Sequence, residues 1–137
     1  MLRFTELRRT ETGQAIAEMA LVLPILIVLL FGIVEFGRVL NTYMIVTNLS
    51  REAARTGAVG GTDSAITASV QNGAVASGLE TSQISVSITP TSISKRVRGS
   101  SVEVSVDYPV DIIAPVIGVI IGDPYIVESQ TTMRVEG

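Results

Sequence analysis

The feature that most constrains this chain is a run of sixteen residues without a charge, MALVLPILIVLLFGIV, which begins at Met19. Extended back to Ala15, the apolar stretch is twenty residues long and contains one acid, Glu18. About twenty helical residues cross a hydrocarbon core of roughly 30 Å. The rest of the chain is too small to enclose a helix that is apolar on all sides. We therefore predict one membrane-spanning helix with residues 15–34 embedded.

Composition excludes several other kinds of protein. The 137 residues include no cysteine, histidine or tryptophan, which excludes disulfides, Cys or Ser–His nucleophiles and thiolate or imidazole metal sites. The net charge of −3 gives no general attraction to nucleic acid. Because no plausible nucleophile–base set is present either, we expect a protein that is not an enzyme and that uses no cofactor and no metal.

The helical pattern continues beyond the apolar segment. Glu35 and Arg38 are expected at the far membrane interface. Apolar side chains then recur at spacings of three and four, the pattern of an amphipathic helix: Phe36, Val39, Leu40, Tyr43, Val46, Leu49, Ala53 and Ala54. Three glycines follow between positions 57 and 61. We predict one long helix over residues 14–56, followed by a linker over residues 57–63.

Residues 64–137 have the pattern of a small mixed domain. A short helix is predicted over residues 64–77. Apolar and polar residues then alternate in three segments, 84–88, 102–106 and 125–135, which predicts strands, with Pro109 limiting the second. Three strands with one apolar face need a cover, which the amphipathic half of the long helix supplies. The predicted fold is α+β: a membrane-spanning helix continues as an amphipathic helix, packed on a short helix and a three-stranded antiparallel sheet.

Two loops of this domain stand out. The loop TPTSISKRVRGS joins the first two strands and carries Lys95, Arg96 and Arg98. We interpret it either as a solvated hairpin loop or as a weak interaction loop for an acidic partner or phospholipid headgroups. The second loop contains the apolar run Ile112–Ile121, which is too short to span a bilayer. This run is either core beneath the sheet or an exposed patch for a neighbouring subunit.

The start of the apolar stretch resembles a known processing signal. The run Gly13-Gln14-Ala15-Ile16-Ala17-Glu18-Met19 is similar to the cleavage site of type IV prepilins. In that class a prepilin peptidase cuts after the glycine, and a glutamate stands fifth in the mature chain. The resemblance implies a leader over residues 1–13, with Gly13, Gln14 and Glu18 as the processing residues.

A longer resemblance covers about forty-five residues. The opening AIAEMALVLP, the block FGIVEFGR and the close SREAARTGA resemble the TadE-like domain of tight-adherence (Flp/Tad) pilus systems. The resemblance implies a pseudopilin or minor pilin that is handled by prepilin peptidase and placed by an inner-membrane assembly platform among other pilins and pseudopilins. The residues it assigns to the assembly helix are Met19, Leu23, Pro24, Phe31, Glu35, Phe36 and Arg38.

The same resemblance assigns a role to Glu18. In pilins this carboxylate neutralises the new α-amino group, here that of Gln14, on its own chain or on a neighbour. Physical chemistry agrees, because two charges enter an apolar environment at tolerable cost only as a pair. A free N-terminal glutamine can cyclise to pyroglutamate and lose its charge. In that case we expect Glu18 to be protonated in the assembled state or to pair elsewhere.

Location and filament position are less constrained by the sequence. Arg3, Arg8 and Arg9 precede the apolar segment, whereas Arg38 and Arg51 follow it, which weakly favours a cytoplasmic N-terminus. We expect a single-pass inner-membrane protein with its C-terminal domain outside the cytoplasm, able to enter an extracellular pilus. Two rivals remain: an uncleaved bitopic envelope protein that binds a partner through its outer domain, and the major filament subunit.

Overall fold

The computed structural model describes the backbone of residues 4–136 and the side chains of residues 13–136. Its elements are α1 (Phe4–Ala58), α2 (Asp63–Ala76), β1 (Ser85–Thr89), β2 (Ser101–Val110), α3 (Pro115–Ile121) and β3 (Tyr125–Arg134). Two single 3-10 turns, Thr81–Gln83 and Ile93–Lys95, flank β1. The predicted α+β fold, with one long helix, a short helix and three antiparallel strands, is confirmed.

The long helix α1 continues past its predicted end. It runs through Pro24 without a break and ends at Ala58, two residues beyond position 56. The reversal is made at Gly60, whose φ of +88° is a conformation that suits glycine. Gly57 lies within the last turn, where an added Cβ would come within 3.1 Å of Ile66 and Val102. Gly57 therefore permits close packing of the helix end on the domain.

Helix α2 begins one residue earlier than predicted. The side chain of Thr62 accepts a hydrogen bond from the N–H of Ala65 at 3.3 Å and so caps the first turn. Ile66, Val70 and Ala74 are buried on one face of α2. Gly73 sits in the interior of α2 because a Cβ there would overlap the side chain of Leu49 on α1. This glycine sets the close approach of the two helices.

The sheet is a meander in the order β1-β2-β3 with both pairs antiparallel. Strand β2 extends to Val110, so the expectation that Pro109 limits it was wrong. The reason is that β1 begins opposite Asp107, so Pro109 lies beyond β1 and is paired with β3 only. A proline is tolerated where a strand has one neighbour, because its missing N–H breaks no ladder.

The core lies between the second half of α1, helix α2 and one face of the sheet. Its fully buried members are Val46, Ala53, Ala54, Ile66, Val70, Ala74, Val102, Val104 and Val106. The predicted amphipathic stripe of α1 is therefore buried from Val46 onward, whereas Phe36, Leu40 and Tyr43 remain exposed. The sheet and α2 pack on the distal part of α1, whereas α3 lies beside the end of the apolar segment near Gly32. The rest of the apolar segment is exposed.

A buried hydroxyl cluster ties α1 to β3. Ser50 is fully buried, and its Oγ lies 3.1 Å from Ser129 Oγ and 2.9 Å from Thr131 Oγ1. It also donates to the carbonyl of Thr47 at 3.0 Å. Because buried hydroxyls need partners, this cluster favours one position of the helix over the sheet.

Candidate functional site

The predicted processing residues lie on the exposed part of α1. Gly13, Gln14 and Glu18 are all exposed, and the helix passes through Gly13 without interruption. The side-chain Nε2 of Gln14 donates to Glu18 Oε1 at 3.0 Å. The side chains of the predicted leader up to position 12 lie outside the described residues. Glu18 thus faces outward, where a cation from a neighbouring molecule can reach it.

The apolar half of α1 has almost no cover from the domain. Between Gly13 and Val34 every residue except Gly32 is exposed, including Met19, Leu23 and Phe31. Among the described residues, this is the one helix long and apolar enough to cross a membrane. So large an apolar surface requires a bilayer or other helices around it.

Glu35 holds a segment that is distant in sequence. Its side chain is buried, and Oε1 accepts the backbone N–H groups of Ile113 at 2.7 Å and Ala114 at 3.0 Å. Oε2 accepts from Arg38 Nη1 at 2.8 Å, and the same nitrogen donates to the carbonyl of Asp111 at 3.2 Å. Both carboxylate oxygens therefore have partners, and Arg38 compensates the buried charge.

The segment held by Glu35 is the second loop noted in the sequence. We call residues 112–122 the apolar finger. Its two ends are joined, because Asp123 Oδ1 accepts the N–H of Ile112 at 3.0 Å. Ile112 and Ala114 are buried, but Val116, Val119 and Ile120 are 54%, 89% and 73% exposed. Of the two interpretations that the sequence left open, core beneath the sheet does not hold, since α3 packs beside α1 and leaves these side chains exposed.

The sequence predicts the Glu35–Arg38 pair but not the contact of Glu35 with the finger. Glu35 and Arg38 are three residues apart on a helix, a spacing that predicts a local ion pair. Nothing local predicts that the free side of Glu35 binds backbone groups almost eighty positions away. Phe36, assigned to the same helix surface, is exposed and borders a shallow apolar groove with Tyr43 and Tyr125.

The basic loop divides into buried and exposed cations. Lys95 and Arg98 are exposed. The side chain of Arg96 is 3% exposed and pairs with Asp63 through Nη1. Its Nε and Nη2 both donate to the carbonyl of Pro90, at 3.1 and 2.9 Å. Arg96 thus fixes the loop against the start of α2, which leaves two cations of this loop for any partner.

The described side chains contain no group of three or more Asp and Glu residues placed to hold a metal ion. The arrangement instead combines an exposed apolar helix, an exposed carboxylate at Glu18 and an apolar finger clamped by Glu35. These are features suited to packing in a membrane or an assembly.

Comparison with known families supports this description. The family model described as TadE-like protein matches residues 13–55, about a third of the chain. The matched segment includes Glu18, Glu35, Arg38 and Ser50. No curated protein and no solved structure matches the chain significantly. The resemblance seen in the sequence is thus confirmed: residues 13–55 are similar to the TadE-like family.

Proposed function

We propose that this chain is a TadE-like pseudopilin or minor pilin, a non-enzymatic subunit that primes, caps or joins a Flp/Tad-type pilus. The observation that carries the proposal is the TadE-like match over residues 13–55. The structure adds a compatible shape, a helix with an apolar half that projects bare from a small α+β domain. Such a helix can sit in a bilayer before assembly and pack against other helices afterwards.

The proposed mechanism starts with insertion of α1 into the inner membrane, with the C-terminal domain outside the cytoplasm. Prepilin peptidase then cuts after Gly13, so that Gln14 becomes the new N-terminus. Its α-amino group pairs with Glu18 of its own chain or of a neighbour and sets the register of packing. The exposed position of Glu18 supports this step, because among residues 13–136 its carboxylate forms no ion pair.

The proposed partners are other pilins and pseudopilins, the inner-membrane assembly platform, prepilin peptidase and the lipid bilayer. The apolar helix residues from Met19 to Phe31 would supply most of the contact area with neighbouring helices or lipid. Apolar packing of this kind is strong but unspecific, whereas a buried charge pair fixes one register. A Glu18–Gln14 pair would therefore position the subunit, and the helix surface would hold it.

The test is the intact mass and N-terminal sequence of the chain from native cells that carry their own prepilin peptidase. A chain that begins at Gln14, lighter by one ammonia if cyclised, would support the proposal. Gly13→Ala should abolish this processing. Gly37→Ala, the same change at a helix position with free space around it, should leave processing intact. A chain that keeps residues 1–13 would overturn the cleavage step and favour an uncleaved bitopic protein.

A second measurement separates the filament positions. Quantitative mass spectrometry of sheared filaments should find this chain at a small fraction of the most abundant subunit. Equal or greater abundance would instead identify it as the major filament subunit.

A further inference from the structure

We infer that the apolar finger, residues 112–122, inserts into the lipid bilayer beside α1, in the leaflet that faces the C-terminal domain. The inference rests on the proposed membrane anchoring of α1 and adds a second membrane contact from the domain itself. The bilayer is the one occupant that accounts for the finger's depth along α1, its composition and the satisfied N–H groups at its start.

The first argument is depth. The side chain of Ile117 lies against Gly32, where an added Cβ would be 3.8 Å from its Cδ1. The start of the finger, from Ile113 to Val116, borders the same groove as Ile27, Val28 and Phe31. These α1 positions belong to the uncharged run that ends at Val34. If that run lies in hydrocarbon, the finger lies at the same level.

The second argument is composition. The finger reads IIAPVIGVIIG and contains no charged side chain and no hydroxyl. Acidic residues stand on either side of it, Asp111 before and Asp123 after, and the bond from Ile112 to Asp123 brings its two ends together. We call the base of the finger, where Asp111 and Asp123 lie, its neck. The polar neck and the apolar residues between match the change from headgroups to hydrocarbon.

The third argument concerns the backbone. Polar backbone groups inside a bilayer must find partners within the protein. The first three N–H groups of the finger do so, because Asp123 accepts from Ile112 and Glu35 accepts from Ile113 and Ala114. The next residue, Pro115, has no N–H, and the carbonyl of Ala114 accepts from Ile117 and Gly118. The N–H groups at the start of the finger are therefore satisfied within the protein, as a medium without water requires.

The surroundings favour lipid over a second copy of the chain. The exposed face of α3 is continuous with the exposed face of α1 around Ile25 and Leu29. A bilayer covers both faces at once. Tyr43 and Tyr125 lie on the domain side of the finger and are 49% and 39% exposed. Tyrosines at this level are typical of a membrane–water interface.

The consequence is a fixed orientation of the domain. A single helix lets the domain rotate about its axis and tilt freely, whereas a second contact beside the helix restrains both motions. The Glu35–Arg38 pair transmits the restraint, because it joins α1 to the neck of the finger.

The test uses spin labels on the full chain in vesicles of phosphatidylethanolamine and phosphatidylglycerol. The chain has no cysteine, so each introduced cysteine is the sole labelling site. The variants are Val119→Cys on the finger, Ile25→Cys on the apolar helix and Val75→Cys on α2. These residues are 89%, 68% and 68% exposed, so a label at each leaves the packing intact. Val75 serves as the control position in water. Its neighbour Gly73 lies against Leu49, which is about 25 Å further along α1 than Gly32.

Collisions with oxygen report lipid, and collisions with a water-soluble nickel chelate report water. We expect the oxygen-to-nickel ratio at Val119→Cys to approach that of Ile25→Cys and to exceed that of Val75→Cys several-fold. A ratio at position 119 equal to that at position 75, with position 25 in lipid, overturns the finger's insertion and leaves the anchor in place. Water exposure at position 25 itself overturns the membrane anchor and the finger together. Spin–spin broadening at position 119 that grows with the protein-to-lipid ratio overturns the inference in favour of a second copy.

Discussion

The carboxylate of Glu35 accepts the backbone N–H of Ile113 at 2.7 Å across seventy-eight positions of sequence. It also accepts from Ala114, and Arg38 occupies its second oxygen. One buried acid therefore organises the neck of the apolar finger and joins it to the long helix. Both Glu35 and Arg38 fall within the segment matched as TadE-like, whereas the finger falls outside it.

Glu35→Gln should loosen the finger. The amide keeps the shape of the carboxylate, but it carries no charge and presents a donor where Arg38 also donates. We expect hydrogen exchange of a peptide covering residues 111–122 to accelerate by about tenfold, as loss of one charge-assisted hydrogen bond predicts. The measurement is deuterium uptake by mass spectrometry in vesicles. Glu52→Gln, a change at an exposed acid of the same helix, should leave this uptake unchanged. Unchanged uptake in both variants would show that the charge of Glu35 does not hold the finger.

Gly73→Ala should destabilise the domain although alanine is the better helix former. The new Cβ overlaps Leu49, which is 6% exposed and has little room to move. Overpacking of this kind costs about 1–3 kcal/mol, more than the gain of up to about 1 kcal/mol in helix propensity. Gly37→Ala meets no atom within 4 Å and should be neutral or stabilising. Thermal unfolding in detergent by circular dichroism measures both, and equal shifts would exclude the proposed contact.

Arg96 should matter for stability and its two basic neighbours should not. Arg96→Met leaves the carbonyl of Pro90 without its two donors and Asp63 without its cation. We expect a loss of about 1–3 kcal/mol in the free energy of unfolding. Lys95→Met and Arg98→Met change exposed side chains and should stay within about 0.5 kcal/mol. A denaturant titration measures the free energy of unfolding of each variant. A loss of similar size in all three variants would contradict the buried role of Arg96.

The elements that periodicity determines could be predicted from the sequence. The spacing of Val46, Leu49 and Ala53 predicts the buried face of α1, and alternation at Val102, Val104 and Val106 predicts the covered face of β2. Both patterns are local, because each depends on the geometry of a single element. The expectation that Pro109 limits β2 was wrong because it used the local sequence alone. The proline is tolerated because the neighbouring strand β1 begins only opposite Asp107.

The parts that could not be predicted depend on distant partners. The apolar composition of residues 112–121 is equally consistent with a core segment and with an exposed one, and Glu35 decides between them by binding Ile113 and Ala114. Arg96 looks like its neighbours Lys95 and Arg98 in the sequence, and only the position of Asp63 separates it from them. Contacts between residues far apart in the chain leave no local pattern.

The last prediction concerns the hydroxyl cluster at Ser50. Ser50→Ala removes a fully buried hydroxyl and leaves Ser129 and Thr131 with one partner fewer. We expect a loss of about 1–2 kcal/mol in the free energy of unfolding, because the remaining hydroxyls are poorly placed to reach water. Ser101→Ala, at an exposed position of β2, should change stability by less than about 0.5 kcal/mol.

A double-mutant cycle then shows whether the cluster acts as a unit. If Ser50 and Ser129 are partners, the double variant Ser50→Ala/Ser129→Ala should lose less stability than the two single losses added together. This is expected because the second substitution removes a hydroxyl that the first has already left without its partner. Strict additivity would show that the two hydroxyls contribute separately, and that the Ser50–Ser129 bond does not set the position of α1 over β3.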